Sequence, residues 1–410
     1  MISADFARSL VARYGSPLYA YDLDVVADRG RTLLSLLPQG AKLFYSLKAN
    51  PNPAIVGTLR ELGCQAEISS LGELSAGIEA GFAAEDLLFG GPGKTEGEME
   101  QTLAAGVRYY SCESWTDLER IENAARRRSQ SVKVLLRVNP SVAPQAKLAM
   151  SGVESQFGFE EPGLLAGAAK LKTLDAVVQI VGIHVYFGTQ IGGVEALTAS
   201  TRCALETIER ISGQLGIDCR VANVGGGFPW PYATADAGPD LSGLRTALAE
   251  VVSQSKVARQ AELWFESGRY LSASAGTLVA TVLDIKESKS GKKYLVLDAG
   301  INQLGGMSGL GRIPRPLIAL QRLPLRETEE MDTYDVVGPL CSPLDCLGRG
   351  IKLPRVAAGD LMAVPNVGAY GLTASLMGFL SHPPAAEVAF WGTRCVDARR
   401  RRWDYERLEV

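Results

Sequence analysis

Histidine is scarce in this chain of 410 residues, which contains only His184 and His382. A histidine-rich metal site is therefore excluded, and the scattered acids and thiols show no metal-ligand spacing. A serine hydrolase is disfavoured because the chain lacks the G-x-S-x-G elbow. A nucleotide-binding loop is disfavoured as well, since no G-x-x-x-x-G-K-[ST] segment is present.

Excess charge and long apolar runs are also missing. The formal net charge is -3 with acids and bases interspersed, and the arginine runs at 126–128 and 399–402 are interpreted as solvated faces. No apolar stretch approaches the length of a membrane span, and the first residues lack a secretory leader pattern. The seven cysteines show no C-x-x-C spacing and are typical of reduced thiols. We therefore expect a cytoplasmic protein with neither a nucleic-acid nor a membrane partner.

The chain does contain a regular alternation of short β-rich runs and amphipathic stretches. Runs such as KLFYSLKA and ELWFESGR are typical of strand ends, and LGELSAGIEAG has a helical period that ends on glycine. This alternation predicts an α/β fold in which residues 24–270 form an eight-stranded (βα)8 barrel of the TIM type. Strand and turn signals dominate afterwards. Residues 271–410, with an N-terminal strand within 1–23, are therefore predicted to form a mostly β domain.

Two strand ends of the predicted barrel carry candidate ligand-binding groups. Lys48 follows the strand in FYSLKANPNP, so its amine is expected at the carboxyl-terminal mouth of the barrel, where a lysine can form a Schiff base. On position alone it is equally an ordinary surface lysine. The glycines of VGGGFP, at 225–227, leave backbone N–H groups open to a phosphate, although a glycine triplet is more often only a tight turn.

Two further motifs place polar groups where they can meet a ligand. In WFESGRY, Glu266 and Arg269 lie three residues apart at another strand end, and they can face one ligand or pair with each other. In GPLCSPLDCLGR, Cys341 and Asp345 lie in a loop framed by glycine and proline, where a thiol can exchange protons. Most cysteines, however, are inert packing residues.

The order of these motifs is more specific than any one of them. From about residue 15 to 390 the chain resembles the fold-type III pyridoxal phosphate decarboxylases, the diaminopimelate, ornithine and arginine decarboxylase group. The resemblance rests on YSLKANPNP, SSLGELSAGIEAG, SQFGF, GIHVYFGTQIG, NVGGGFP, ESGRY, GPLCSPLD and NVGAYG. It implies a βα barrel with a C-terminal β domain, pyridoxal 5'-phosphate as cofactor, and a homodimer whose active sites are completed across the interface.

The resemblance also implies roles for individual residues. Lys48 resembles the lysine that binds the cofactor aldehyde, and Glu266 the acid that keeps the pyridine nitrogen protonated. That protonated ring is a deep electron sink, suited to loss of the α-carboxylate of an amino acid. Cys341 resembles the partner-supplied thiol that returns a proton to Cα. Other implied cofactor contacts are His184, Tyr186, Gly225, Gly226, Gly227, Gly268, Arg269 and Tyr370, and implied substrate contacts are Arg269, Ser342 and Asp345.

Several positions depart from the family pattern. Tyr186 stands where the family commonly stacks a histidine on the cofactor ring, and it can cover the ring but carries no positive charge. Ser342 follows the cysteine where diaminopimelate decarboxylases carry a glutamate that grips the far end of the substrate. With MSGVESQFGF and GFLSHPP, these changes resemble the natural-product and siderophore branch. Some members of that branch take amino acids that are amide-linked or held on a carrier protein. Arg312 and Arg315 are candidates to meet an anionic distal group or are merely solvent-exposed.

Two alternatives remain beside the decarboxylase. An amino-acid racemase on the same barrel is disfavoured by Glu266, because racemases are expected to oppose the ring nitrogen with arginine. A non-catalytic homologue that binds a partner protein is disfavoured by the combined presence of Lys48, Glu266, Cys341 and Tyr370, which drift would strip first.

Overall fold

The computed structural model of the protein describes residues 2–141, 155–305, 318–324, 330–404 and 406. The chain divides into two compact units. Residues 27–229 and 238–271 form one, called here the barrel unit. Residues 1–26, 230–237 and 272–410 form the other, called the sheet unit. Arg312 and Arg315, and the first half of MSGVESQFGF, lie outside the described residues.

The helices are numbered in chain order, and all but the first belong mainly to the barrel unit. They are α1 Ala4–Tyr14, α2 Leu23–Leu36, α3 Pro53–Glu61, α4 Leu71–Glu79, α5 Glu96–Ala105, α6 Trp115–Arg128, α7 Glu161–Ala166, α8 Gly193–Leu215, α9 Leu244–Gln254 and α10 Arg269–Ser272. Side-chain caps fix several of their starts. Ser70 and Ser114 each accept a backbone N–H three residues on, and Thr95 forms a capping box with Glu98.

The strands are likewise numbered in chain order. They are β1 Leu18–Asp22, β2 Lys42–Ser46, β3 Gln65–Ile68, β4 Leu87–Phe89, β5 Tyr109–Cys112, β6 Val132–Asn139, β7 Phe159–Glu160, β8 Val178–Val185, β9 Val221–Asn223, β10 Glu262–Ser267, β11 Gly276–Glu287, β12 Lys293–Leu297, β13 Gln321–Leu323, β14 Met331–Val337, β15 Cys346–Pro354, β16 Leu361–Val364, β17 Ala386–Trp391 and β18 Arg394–Arg399.

A closed parallel barrel is the framework of the barrel unit. Its strands run in the order β5-β4-β3-β2-β10-β9-β8-β6, and a further pairing of β5 with β6 closes the ring. All of these pairings are parallel. The predicted eight-stranded βα barrel is therefore confirmed. The carboxyl ends of all eight strands meet at one end of it, as parallel strands require.

The inside of the barrel changes character along its axis. Near the amino ends of the strands, an apolar layer is packed from Phe44, Leu88, Leu135, Val181, Val221 and Trp264. The rings of Phe44 and Trp264 lie 4.5 Å apart between centroids. Near the carboxyl ends the buried residues are polar and charged: Glu67, Ser111, His184, Asn223 and Glu266. Because buried polar groups require partners, this end is the part of the barrel built for a ligand.

A mostly antiparallel sheet forms the sheet unit. Its main order is β15-β14-β12-β11-β1-β17-β18, with β16 also paired to β11 and β13 to β16. Strand β1 lies between β11, antiparallel, and β17, parallel, so the N-terminal strand does join the C-terminal sheet. Strands β11 and β12 pair antiparallel, with Gly291 in the turn between them. Helix α1 was not predicted, and its Ala7 and Leu10 are buried against Leu18 and Phe390 in the core of this unit.

Candidate active site

Lys48 lies at the mouth of the barrel, one turn beyond the end of β2. Residues Leu47–Ala49 form a single 3-10 turn that follows Ser46. The Lys48 amine is 3.7 Å from the Glu67 carboxylate on the neighbouring strand β3, and its side chain is 46% exposed. The Ser46 hydroxyl donates to the same Glu67 oxygen over 2.5 Å. The amine is thus oriented by a buried anion yet remains accessible to an incoming aldehyde.

The turn after β9 approaches its neighbours so closely that only glycine fits. A Cβ on Gly226 would lie 1.8 Å from the backbone oxygen of Glu266. Gly225 and Gly227 have φ of 67° and 95°, a region that glycine adopts without strain. Asn223 fixes the turn from below, since its Oδ1 accepts the Gly225 N–H over 2.9 Å. The result is a side-chain-free rim of backbone at the carboxyl end of a strand, suited to a phosphate.

Tyr186 lies against this turn and between two cations. A Cβ on Gly225 would meet the Tyr186 ring at 2.8 Å. The Lys48 amine and the Arg137 guanidinium each lie 5.8 Å from the ring centroid. The ring is half-buried, so it offers a flat face at the mouth of the barrel. An aromatic ring with two cations close to it therefore lies at the mouth of the barrel.

Glu266, the next-to-last residue of β10, is only 3% exposed. Its Oε1 accepts from the Asn223 amide nitrogen over 2.8 Å and lies 3.3 Å from His184 Nε2. Its own backbone N–H donates to Gly225 O, which ties the acid to the glycine turn. Glu266 is thus held by the last residues of β8 and β9 and cannot swing freely.

His184 is completely buried inside the barrel. Its Nδ1 is 2.9 Å from the Ser111 hydroxyl of β5. Burial and the nearby charge of Arg137 lower the pKa of His184 from 6.5 to about 3. The imidazole is therefore neutral at physiological pH.

Gly268 and Arg269 follow β10 directly. A Cβ on Gly268 would lie 2.7 Å from the Cβ of Ala49, so this glycine allows the loop to approach the turn that carries Lys48. Arg269 is half-buried and opens α10. Both therefore lie at the carboxyl-terminal end of the barrel with Lys48 and Glu266.

The sheet unit holds the remaining predicted residues, beginning with the loop between β14 and β15. Cys341 is exposed there, whereas the other six cysteines are buried or half-buried. The Ser342 hydroxyl accepts the Leu344 N–H over 3.2 Å, and the Ser342 carbonyl accepts the Asp345 N–H. Ser342 therefore shapes the turn that presents Cys341.

Asp345 anchors this loop from beneath. Its two oxygens accept the backbone N–H groups of Ile301 and Leu340, each over 2.8 Å. Gly300 and Gly338 flank it so tightly that a Cβ on either would come within 2.4 Å of the carboxylate. Desolvation raises the pKa of Asp345. The residue is buried and joins two loops of the sheet unit.

Tyr370 has a backbone conformation that a bulky residue rarely adopts. Its φ is 55°, in the left-handed region. Tyr232 donates its hydroxyl to the Tyr370 carbonyl over 3.1 Å. Asn366, at φ 58°, is held in the same loop by the indole N–H of Trp230 over 2.9 Å. Such a strained, well-braced residue is characteristic of a functional site.

Comparison with known proteins identifies the chemistry of this arrangement. The model of the family described as pyridoxal-dependent decarboxylase, pyridoxal binding domain, matches residues 23–273. That is more than half of the chain. The chain belongs to the pyridoxal-dependent decarboxylases.

Similar proteins cover almost the whole of this decarboxylase. The L-glutamyl-[BtrI acyl-carrier protein] decarboxylase of Niallia circulans is 34% identical over 386 residues, 93% of this chain and 90% of that protein. The diaminopimelate decarboxylase of Zymomonas mobilis is 31% identical over 401 residues, 96% and 91% of the two chains. The crystal structure of the Helicobacter pylori diaminopimelate decarboxylase with L-lysine superposes with a TM-score of 0.80. It is 27% identical, over 96% of this chain and 95% of that one.

These findings confirm the predicted family, the predicted decarboxylase activity on an amino acid, and pyridoxal phosphate as the cofactor. The barrel residues fit that cofactor. The glycine turn leaves a rim that any Cβ would fill, and Lys48 offers an accessible amine beside Tyr186. The buried carboxylate of Glu266 is the counter-charge that a protonated pyridine ring requires.

Four polar residues at the carboxyl-terminal end of the barrel were not predicted from the sequence. They are Glu67, Ser111, Arg137 and Asn223, all within strands. Each is a polar residue in an otherwise apolar run, within two residues of the strand's carboxyl end. In a βα barrel that position faces the site whenever the side chain points inward, and this signal is visible in the sequence. What the sequence does not give is which of the alternating residues points inward.

Proposed function

We propose that this decarboxylase removes the α-carboxylate of an amino acid that is attached to an acyl-carrier protein. The 34% identity to a decarboxylase of a glutamyl group on a carrier protein supports this substrate class. The observation that carries the proposal is the loop around Cys341, because it lacks the charged grip that a free, doubly charged substrate needs.

Ser342 is committed to the loop itself. Its hydroxyl accepts the Leu344 N–H, and the Leu344 side chain is 52% exposed. Leu380, in the GFLSHPP segment of the same unit, is 48% exposed. These segments therefore present a short hydroxyl and apolar side chains, and Ser342 stands in place of the glutamate of diaminopimelate decarboxylases. An amino acid whose far end is joined to a carrier has no free charge at that end, so apolar contacts suit it.

The barrel residues take the roles that their geometry supports. Lys48 would hold the cofactor aldehyde, and the Gly225–Gly227 turn with Arg269 would bind the phosphate. Tyr186 would cover the ring face, and Glu266 would face the ring nitrogen. When bound, the cofactor accepts the two electrons left on Cα as carbon dioxide departs.

Residues of the sheet unit would complete the site. Cys341 would return a proton to Cα from its exposed thiol, acting as the general acid of the reaction. Tyr370 would reach the cofactor from its braced loop. Ser342 and Asp345 would act on the substrate through the loop that they shape, with Arg269 contributing from the barrel.

We further propose a homodimer with shared sites, in which Cys341 acts on the partner's cofactor. The exposure of Cys341 and Leu344 in one loop supports an interface there. Mixing a Lys48→Ala chain with a Cys341→Ala chain should restore activity, since one of the two sites then carries both residues. No recovery in a mixed dimer would contradict sharing.

A cytoplasmic location and domain boundaries at 24–270 and 271–410 remain part of the proposal. Free thiols at all seven cysteines support the former, and the two compact units support the latter. Among the described residues, no helix is long and apolar enough to cross a membrane.

The decisive experiment compares substrates on the purified enzyme with pyridoxal phosphate. We expect carbon dioxide release from a glutamyl-carrier protein and little or none from free glutamate or free diaminopimelate, with the carrier-bound product followed by intact-protein mass. Borohydride reduction and peptide mapping should place the cofactor on Lys48. Efficient turnover of free diaminopimelate would overturn the carrier-bound substrate, and an adduct on another lysine would overturn the site.

Ser342→Glu provides the matched variant for the substrate proposal. The change restores the acid that diaminopimelate decarboxylases carry at this place, in a loop that Asp345 continues to anchor. We expect it to lower kcat/KM for the carrier-bound substrate while the reducible adduct on Lys48 is unchanged. Unaltered kcat/KM would show that the far end of the substrate does not approach Ser342.

A further inference from the structure

Three neighbouring strands place polar residues at one level of the barrel interior. Arg137 of β6 pairs in register with His184 of β8, and His184 pairs in register with Asn223 of β9. Glu266 lies one strand further on, on β10. The side chains of His184 and Asn223 both approach the same oxygen of Glu266, at 3.3 Å and 2.8 Å.

We propose that His184 is a positioning residue whose neutral imidazole donates from Nε2 to Glu266, with its tautomer fixed by the Ser111 hydroxyl at Nδ1. In this arrangement His184 and Asn223 hold Glu266 as a carboxylate in a fixed orientation toward the cofactor's ring nitrogen. The inference rests on the proposed role of Glu266 and assigns how that role is maintained.

The contacts select one tautomer. Ser111 is 1% exposed, and its hydroxyl, 2.9 Å from Nδ1, can donate to that nitrogen or accept from it. Among the described residues, buried Nε2 makes no hydrogen bond of good geometry, and Glu266 Oε1 is the acceptor nearest to it. A carboxylate can only accept, so the proton belongs on Nε2 and Ser111 donates to Nδ1. Catalytic hydrogen bonds that are long in the free enzyme commonly shorten once the site is filled.

The surroundings keep the imidazole uncharged. Burial and Arg137 lower the His184 pKa to about 3, and Lys48 acts in the same direction. Glu67 and Glu113 act in the opposite direction but do not prevail, because desolvation of the buried ring is the largest influence on its pKa. A neutral donor leaves the negative charge of Glu266 available to the pyridine ring, whereas an imidazolium would pair with that charge.

Because His184 and Asn223 both approach Oε1 of Glu266, Oε2 is left for the ligand. Both donors from the barrel wall meet Glu266 Oε1, and the backbone of Glu266 is fixed by its N–H bond to Gly225. Among the described residues no further donor to this carboxylate is recorded, so Oε2 remains for the ring nitrogen. A residue that holds Glu266 this way governs protonation of the ring without touching the cofactor.

The presence of only two histidines makes a direct test possible. Nitrogen-15 histidine NMR of the enzyme, with and without pyridoxal phosphate, gives one signal set for His184 and one for His382, which His382→Gln assigns. We expect a neutral Nε2–H tautomer for His184 from about pH 6 to about pH 9 in both forms. An Nδ1–H tautomer or an imidazolium in this range would overturn the proposal.

Two substitutions at His184 distinguish a hydrogen-bond donor from a residue that only fills space in the core. His184→Gln keeps an amide N–H near the place of Nε2, and His184→Leu removes it. We expect His184→Leu to weaken cofactor binding by about tenfold, as loss of one hydrogen bond to a charged group predicts, and to shift the pH dependence of the cofactor's absorbance band. His184→Gln should retain most of both properties.

The outcomes distinguish this inference from the proposed function. If Lys48 carries the cofactor and His184→Leu leaves its affinity and absorbance unchanged, the positioning role is wrong and the decarboxylase site stands. If no cofactor is trapped on Lys48, the site assignment itself is wrong. The NMR result on the unaltered chain decides the tautomer even if His184→Leu does not fold.

Discussion

The two units hold their predicted site residues by different means. In the barrel unit, Lys48 and Glu266 stand at or just beyond strand ends, and their neighbours on adjacent strands hold them by short polar contacts. In the sheet unit, Cys341 and Tyr370 stand on loops, one exposed and one with a strained backbone. Strands hold side chains in the precise positions that cofactor chemistry requires, whereas loops tolerate changes of sequence.

The contrast explains where the chain departs from its relatives. Parts predicted to serve the cofactor, such as the glycine turn and Glu266, resemble the family pattern, with Tyr186 as the exception. The loop residues Ser342 and Pro343 do not. We infer that the barrel unit sets the reaction and that the loops of the sheet unit set the substrate, a division that the following substitutions test in order of expected effect.

The largest effect should come from Lys48→Ala. The loss of the amine that holds the cofactor should lower kcat/KM by at least about 10³-fold, because the covalent route disappears. Lys42→Ala is the matched control, since Lys42 begins the same strand and pairs with Glu262 at the opposite end of the barrel. Equal losses for both variants in a carbon dioxide release assay would mean that the barrel mouth is not the site.

The next largest effect is expected at the loop. Cys341→Ala should lower kcat by about 10²-fold to 10⁴-fold, the usual share of a general acid, and should leave the cofactor adduct on Lys48 intact. Cys395→Ala, a half-buried thiol of the same unit, should leave kcat unchanged. If the cofactor fails to bind to Cys341→Ala, the division between the two units is incorrect.

A backbone clash should produce the third effect. Gly226→Ala places a Cβ 1.8 Å from Glu266 O, so the turn must move, at a loss of about 3 kcal/mol in the free energy of unfolding. Gly213→Ala lies in helix α8 with nothing within 4 Å of the added Cβ and should not destabilise the protein. Denaturant unfolding measures both. Wild-type stability in Gly226→Ala would show that the turn yields without strain.

A smaller effect is expected for Asp345→Asn. The amide replaces one acceptor with a donor that faces a backbone N–H of Ile301 or Leu340, which should destabilise the fold by about 1–3 kcal/mol. Because Asp345 joins the Cys341 loop to a second loop, alkylation of Cys341 should accelerate while cofactor affinity remains constant. An unchanged alkylation rate would separate Asp345 from the presentation of Cys341.

The last effect, which is confined to acidic pH, is a change in the pH dependence of stability. His184 titrates near 6.5 when unfolded and near 3 when folded, so the unfolded chain binds the proton first as pH falls. Its stabilising contribution is complete above about pH 6.5 and is lost progressively toward about pH 3. His184→Gln should therefore lose less stability than the wild type over this range, and His382→Gln should behave like the wild type. Parallel curves for all three would contradict the buried, neutral imidazole.

The sequence predicted the barrel because hydrophobic periodicity repeats over many βα units. An error in assigning one strand does not alter the fold that the whole series indicates. It also predicted Lys48, the glycine turn and Glu266, since each directly follows a β-rich run. It did not reveal the contact between His184 and Glu266. These residues are 82 positions apart in the chain, but they lie on the two strands that flank β9, which carries Asn223. Strand order around a closed barrel decides such contacts, and local pattern carries no record of it. Helix α1 was missed although its sequence carries helix signals, since Ser3 caps its start and Gly15 follows its end.

The backbone conformation of Tyr370 is strained, and this strain lowers the stability of the folded protein. A left-handed φ of 55° burdens an L-residue with about 1–2 kcal/mol that glycine would not bear. Selection for heat resistance alone would relax such a position, since glycine relieves the strain at once. Heat resistance therefore favours glycine at this position, whereas the proposed role in turnover favours tyrosine. We expect laboratory evolution of the enzyme to meet this trade-off at Tyr370 before it meets one in the barrel.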